Sequence, residues 1–191
     1  GLRQGAQRPE PQTRTGAGSC RGRLLCKSAE KPTRVAVMGH VITLTINELA
    51  VAVNVGARRQ LSAIEAGLRD KHGAKQGWQN HIEGAAGEIA VAKFLNKHWS
   101  CSVNTFRSEP DVSTYEVRTR SEDWHDLIIR PDDKDESPYI LVTGQAPYFT
   151  VQGWLYAREG KVPDFWKAPG GRPPAWFVPQ GILRELPNKE T

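Results

Sequence analysis

Gly84-Ala-Ala-Gly-Glu-Ile-Ala-Val-Ala-Lys-Phe-Leu95 places one acid, Glu88, in the middle of a helical stripe that is otherwise small or apolar. At three and four residues either way Glu88 has Gly84, Ala85, Val91 and Ala92, with Leu95 two turns on. Glutamate is almost never buried without a partner. The spacing therefore predicts either a functional carboxylate or one salt-bridged to an arginine, unless the helix turns a different face inward.

Two further acids follow. Asp111 comes after Pro110 and lies five residues before Glu116, in Pro-Asp-Val-Ser-Thr-Tyr-Glu-Val-Arg-Thr-Arg120. Tyr115 to Arg120 reads as a strand, so Glu116, Arg118 and Arg120 share one face while Tyr115, Val117 and Thr119 take the other. A hard divalent cation such as Mg²⁺ is held by one or two carboxylates, keeps several waters, and completes its shell with substrate phosphate oxygens. Asp111 and Glu116 are the right ligand type for it.

The order of Gly84-Ala-Ala-Gly-Glu88 on a helix, Pro110-Asp111 at a turn, and Glu116-Val-Arg118 on a strand resembles the PD-(D/E)XK nuclease superfamily, the restriction endonuclease-like fold. Within it the chain is similar to small phage and bacterial proteins of the same layout. The resemblance covers roughly residues 78 to 160, with Ser102 to Phe106 as the preceding strand and Tyr139 to Val142 as a later one. It implies an α/β (α+β) domain with a mixed central sheet flanked by helices. It further implies a nuclease in which Glu88, Asp111 and Glu116 hold Mg²⁺ or Mn²⁺, which activates a water for phosphodiester hydrolysis. The expected partner is nucleic acid, DNA foremost. The departure is at position 118, where Arg118 replaces the family's lysine. Arginine stays protonated, so it orients water or clamps a scissile phosphate but is no base. A module that binds nucleic acid or a protein partner without cleaving is the competing expectation, and a phage structural or assembly protein a third.

Charge is unevenly spread. The chain carries +5 and a pI of about 9.2. Residues 1–37 hold eight of the 26 basic residues and two of the 21 acidic ones, which leaves 18 basic against 19 acidic in the remainder. The basic character belongs to this leader. Rich in Arg, Gln, Pro, Gly and Thr and without apolar periodicity, it is expected to be disordered. Met38 is the only methionine and directly precedes the first patterned segment, which suggests that translation starts there; a basic arm gripping phosphate is the functional alternative. Leu24-Leu25 is too short for a signal core or a membrane span, so a cytoplasmic protein without membrane contact is expected. Cys20, Cys26 and Cys101 form no CxxC pair, which argues against a zinc site or a disulfide framework. Cys101 reads as a small strand residue.

Residues 38–191 have the size of one domain. A strand over Val41 to Thr45 leads into Thr45-Ile-Asn-Glu48, which has capping-box spacing, and a helix from Asn47 that should stop near Gly56. A second amphipathic helix carries Leu61, Ile64 and Leu68 and ends over Asp70 to Gly73, with Arg58 and Arg59 at its start, read as a solvated face in preference to a contact with a phosphate backbone. His125 to Ile129 and Tyr139 to Val142 are strands bracketing the acidic loop 130–138, read as solvent-facing and away from DNA. Phe149 to Tyr156 is a further strand with Gly153 as a bulge. The Pro- and Trp-rich covering segment 161–191 should hold no regular structure from Lys161 to Pro179, where aromatics either tack it over the sheet or stack unpaired bases beside Lys161, Lys167 and Arg172. His81, on the Glu88 face, and His125 are accessory candidates, His81 the better; Arg120 is another.

Overall fold

The capping box fixes where the first helix begins. In the computed structural model, which describes residues 39–67, 77–103 and 109–187, strand β1 (His40–Thr43) ends just before Thr45. The Thr45 hydroxyl accepts from the Glu48 amide at 3.3 Å while the Glu48 carboxylate accepts from the Thr45 amide at 2.6 Å. Helix α1 then runs over Ile46–Glu65 without a break. The expected stop at Gly56 is corrected: Gly56 is where helix α2 (Gly77–Leu95) packs against α1, and a Cβ there would sit 2.6 Å from the Ile82 Cα. Close approach of two backbones offsets the cost of a mid-helix glycine. Gly56→Ala is therefore expected to cost about 1–3 kcal/mol in denaturant unfolding, although alanine is the better helix former. The buried face of α1 is Ala52, Val55 and Gly56. Leu61 and Ile64, expected on an inward face, are instead 55% and 56% exposed, because the continuous helix turns them outward. Leu68 and Asp70 to Gly73 lie outside the described residues, as do the leader, Met38, Cys20 and Cys26.

Strands β1, β2 (Glu116–Arg120), β4 (Pro138–Gln145) and β5 (Tyr148–Tyr156) form a mixed sheet in the order β1-β5-β4-β2. Antiparallel pairs join β1 to β5 and β5 to β4, and β2 lies parallel to β4 at the edge, with Glu116 opposite Tyr139 and Arg118 opposite Leu141. The mixed α+β architecture is as the sequence indicates. Residues facing α1 and α2, among them Val117, Ile140, Val142, Phe149 and Val151, make one core with Ala85, Ala86, Ile89, Ala90 and Val91. Their neighbours on the other face, Tyr139, Leu141 and Leu155, make a second core. That second face is covered mainly by a small sheet rather than by helices. Its strands are β3 (Leu127–Ile129), β7 (Ala175–Val178) and β6 (Trp166–Lys167), in the order β3-β7-β6, with the one-turn helix α3 (Ala157–Gly160) beside them.

The Pro-rich segment thus contains strands. Pro169, Pro173 and Pro174 fall between β6 and β7 rather than within them. Phe165 and Trp176 pack on the second core as cover, while Trp166 is 42% exposed. The bulge sits where Gly153 marked it: register shifts between Leu141, which faces Gly153, and Val142, which faces Val151, leaving Gln152 as the additional residue. Residues 102–103 are not strand, and 104–106 lie outside the described residues. Cys101 is exposed in irregular backbone with φ of 54°, not a strand residue. Among the described residues no helix is long and apolar enough to cross a membrane.

Candidate active site at the edge strand

Glu88 is buried, as its stripe requires, at 6% exposure. Its partner is an arginine. Arg59 reaches across from α1 and binds both carboxylate oxygens, Nη1 to Oε1 at 2.6 Å and Nη2 to Oε2 at 2.8 Å. Trp99 Nε1 donates to Oε2 at 2.9 Å, and Arg59 Nε donates to the Ser102 carbonyl at 3.0 Å. Arg59 is therefore no solvated side chain, whereas Arg58 is exposed as expected. Burial pushes the Glu88 carboxyl up and the nearby Asp111 charge adds to this, against the Arg59 hydrogen bonds. With both oxygens engaged, Glu88 in this arrangement is an anchor for Arg59.

Asp111 stands at the entry to β2, where Val112 and Tyr115 form a bridge that turns the chain into the strand. Its Oδ2 accepts from the Val117 amide at 2.9 Å. Burial raises its pKa, and the charge of Glu116 raises it further. Glu116, within hydrogen-bonding reach of Asp111, is likewise raised by burial, opposed by Arg118 and reinforced by Asp133. The charge of Glu116 disfavours ionisation of Asp111, while Arg118 and Arg59 favour it. Asp111 feels Glu88 and Arg59 on the helix side and Glu116 and Arg118 on the other. Asp111 is thus within electrostatic reach of both Glu88 and Glu116.

The second face of β2 carries Glu116 and Arg118 into a cleft of about 120 Å³ with Arg130, Asp132, Asp133, Lys134 and Tyr139. Arg118 Nη2 donates to Asp133 Oδ1 at 2.8 Å, and its guanidinium lies 4.8 Å from the centre of the Tyr139 ring. Its Nε is buried without a hydrogen-bond partner. Burial works against the Arg118 charge, and the Asp133 carboxylate, by charge and hydrogen bond, outweighs it. Burial and Asp133 push the Tyr139 phenol far up, so it is a neutral donor at any ordinary pH.

Asp133 is the residue that sequence reasoning missed. The 130–138 loop reads as a solvated acidic connection, yet Asp133 is 7% exposed, and its Oδ2 accepts from the Arg130 amide at 2.8 Å. Lys161 Nζ donates to its carbonyl at 2.6 Å, which pins the loop to the covering segment. The Arg130-Pro-Asp-Asp133 turn was the available signal, since a short acid at a turn bonds nearby backbone. Of the accessory candidates, His81 is half-buried on α2 and does not line the cleft. His125 Nδ1 accepts from the Glu122 amide at 3.2 Å. Arg120 sits further along the same strand face.

Among the described residues no group of three or more His, Cys, Asp or Glu side chains is arranged to hold a metal ion. Asp111 and Glu116 nevertheless suit Mg²⁺, which needs only one or two carboxylates. No protein-family model, curated protein or solved structure matches the chain.

Proposed function

We propose that this chain is a metal-dependent phosphodiesterase of the PD-(D/E)XK type acting on nucleic acid, DNA foremost. The observation that carries the reading is the Asp111–Glu116 carboxyl pair, set at the start of an edge strand beside Arg118 and an open polar cleft. Asp111 and Glu116 would hold Mg²⁺ or Mn²⁺, which when bound lowers the pKa of a coordinated water and offsets charge on the phosphate oxygens. Asp111 is oriented by the Val117 amide, which donates to its Oδ2. Arg118, held by Asp133 against Tyr139, presents a fixed positive charge to a phosphate oxygen and cannot remove a proton. Proton removal from water falls to a carboxylate of the pair, and the departing oxygen takes a proton from solvent as the P–O bond breaks. Glu88 acts at one remove, through the Arg59 bridge that faces Asp111.

The test is cleavage of end-labelled single- and double-stranded DNA and RNA with Mg²⁺ or Mn²⁺, with chelator as the control. Cleavage that chelator stops is expected. Arg118→Lys should retain or raise the rate, because an ammonium can still pair with Asp133, while Arg118→Ala should lower it about 10²- to 10³-fold, the loss of one charged donor. The two-carboxylate donor set favours, as a second reading, a nuclease-fold module that binds without cleaving. Binding at low salt with no cleavage of any substrate under either metal would establish that second reading.

A further inference from the structure

Helix α1 is apolar on two sides. Ile46, Ala50, Val53, Ala57, Leu61 and Ile64 recur every three or four residues, so they form one stripe along the whole helix, turned away from the buried Ala52, Val55 and Gly56. This stripe is open. Ile46 is 79% and Val53 49% exposed, Ala50 is exposed as well, Ala57 is half-buried, and Leu61 and Ile64 stand outward as described above. The helix has 20 residues, which makes the stripe about 30 Å long.

A strip of that length, over a third to a half of a helix about 10–12 Å across, offers roughly 350–500 Å² of mostly apolar surface. The largest apolar patch on an ordinary monomer is about 300–600 Å² and is often an interaction site. The stripe is one side chain wide, which is what a single second helix covers. Large and small residues alternate along it, so it complements itself when read backwards. A second copy laid antiparallel, about a twofold axis at the helix midpoint, sets Ile46 against Ile64, Ala50 against Leu61 and Val53 against Ala57, so that each alanine receives a larger side chain. Asn47, Asn54, Arg58 and Glu65, all exposed, border one side of the stripe and carry one charge of each sign. A rim so nearly neutral suits a copy of itself, whereas a surface built for anionic lipid or nucleic acid carries lysine and arginine there.

We propose that the outer face of α1 is the interface of a reversible homodimer, in which α1 packs antiparallel on α1 of a second copy. With the flanking side chains the pair covers roughly 1,000 Å² in total, near the lower limit for a specific interface, so its dissociation constant should fall at about 1–100 μM. The proposal stands apart from the phosphodiesterase reading. The helices lie on one face of the main sheet and the cleft of Glu116 and Arg118 opens on the other, so each copy keeps its cleft accessible.

The test is sedimentation velocity of the full chain from about 1 to 200 μM, a range that spans the affinity such an area supports. Reductant is present so that the exposed Cys101 cannot link copies. The weight-average mass is expected to climb from 21.2 kDa toward twice that value as concentration rises. Val53→Glu/Leu61→Glu sets like charges against one another in the seam and should weaken association at least tenfold, while the melting temperature holds because both side chains are exposed. Val51→Glu, exposed on the same helix but off the stripe, should leave association unchanged. If the double variant fails to fold, Leu61→Gln alone is expected to weaken the dimer. A monomer throughout the range overturns the proposal, and so does a dimer that survives Val53→Glu/Leu61→Glu or one that Val51→Glu disrupts equally. A chain that stays monomeric yet floats with phosphatidylserine vesicles would assign the stripe to lipid and overturn the dimer.

Discussion

Asp111→Asn and Glu116→Gln are each expected to remove metal-dependent cleavage, by about 10³-fold or more in kcat, while leaving the fold intact. Each takes one ligand charge from a cation whose stabilisation of the reacting phosphate is worth several kcal/mol, at 1.36 kcal/mol per tenfold in rate. Asparagine preserves the acceptor for the Val117 amide, so the turn into β2 has no reason to open. Stability should move the opposite way. Burial raises both carboxyls in the metal-free protein, with the charge of Glu116 adding to it at Asp111 and that of Asp133 at Glu116. A carboxyl with a folded pKa above its unfolded value binds its proton more tightly when folded. Its contribution to stability is present below the unfolded pKa and is lost as pH rises through the folded one. Metal-free Asp111→Asn should therefore be more stable than the parent at pH 7, with the gap closing as pH falls toward about 4, the ordinary carboxylate range. Melts across pH check this, and a variant less stable than its parent at pH 7 would mean that the two acids do not crowd one another.

The largest loss of stability is expected at Arg59. Arg59→Ala leaves Glu88 in the core with only the Trp99 donor, and removing one partner of a buried pair costs about 3–5 kcal/mol. For a chain of this size that lowers the melting temperature by roughly 6–20 °C. It also releases the Ser102 carbonyl, so residues 99–103 should exchange amide hydrogens faster. Arg59→Met/Glu88→Leu should recover most of the loss, since two apolar groups replace two charges. A loss under 1 kcal/mol in Arg59→Ala would mean that water reaches Glu88 readily, and the pair would then not be the anchor described.

The sequence carried some of this plainly and hid the rest. The capping box at Thr45, the acid at the entry to β2, the facing of Glu116 with Arg118, and the bulge at Gly153 are local, each decided by residues within a few positions of one another. Gly56 was ambiguous because a glycine that ends a helix and one that admits a neighbouring helix look alike until the neighbour is placed. Glu88 called for a partner, but nothing within α2 points to Arg59, which lies 29 residues earlier. Asp133 was hidden among other acids, and only its placement under Arg118 separates it from Asp132 and Asp135. The strands of the Pro-rich segment depend on pairing between Ile129 and Trp176, 47 residues apart, which no local propensity reports.

The additional residue at Gln152 makes β5 two half-strands out of phase. Phe149 and Val151 look toward the helices, yet so does Trp154, while Leu155 looks toward the small sheet. An uninterrupted alternation would send all the odd-numbered residues one way. One inserted amino acid thus acts as a parity switch that lets a single continuous strand serve two cores. When this chain is aligned to any other, a gap opened or closed at this point exchanges inside for outside along half of β5. The tally of residues from Phe149 to Leu155 is therefore a stricter signature of the fold than the identity of any one of them.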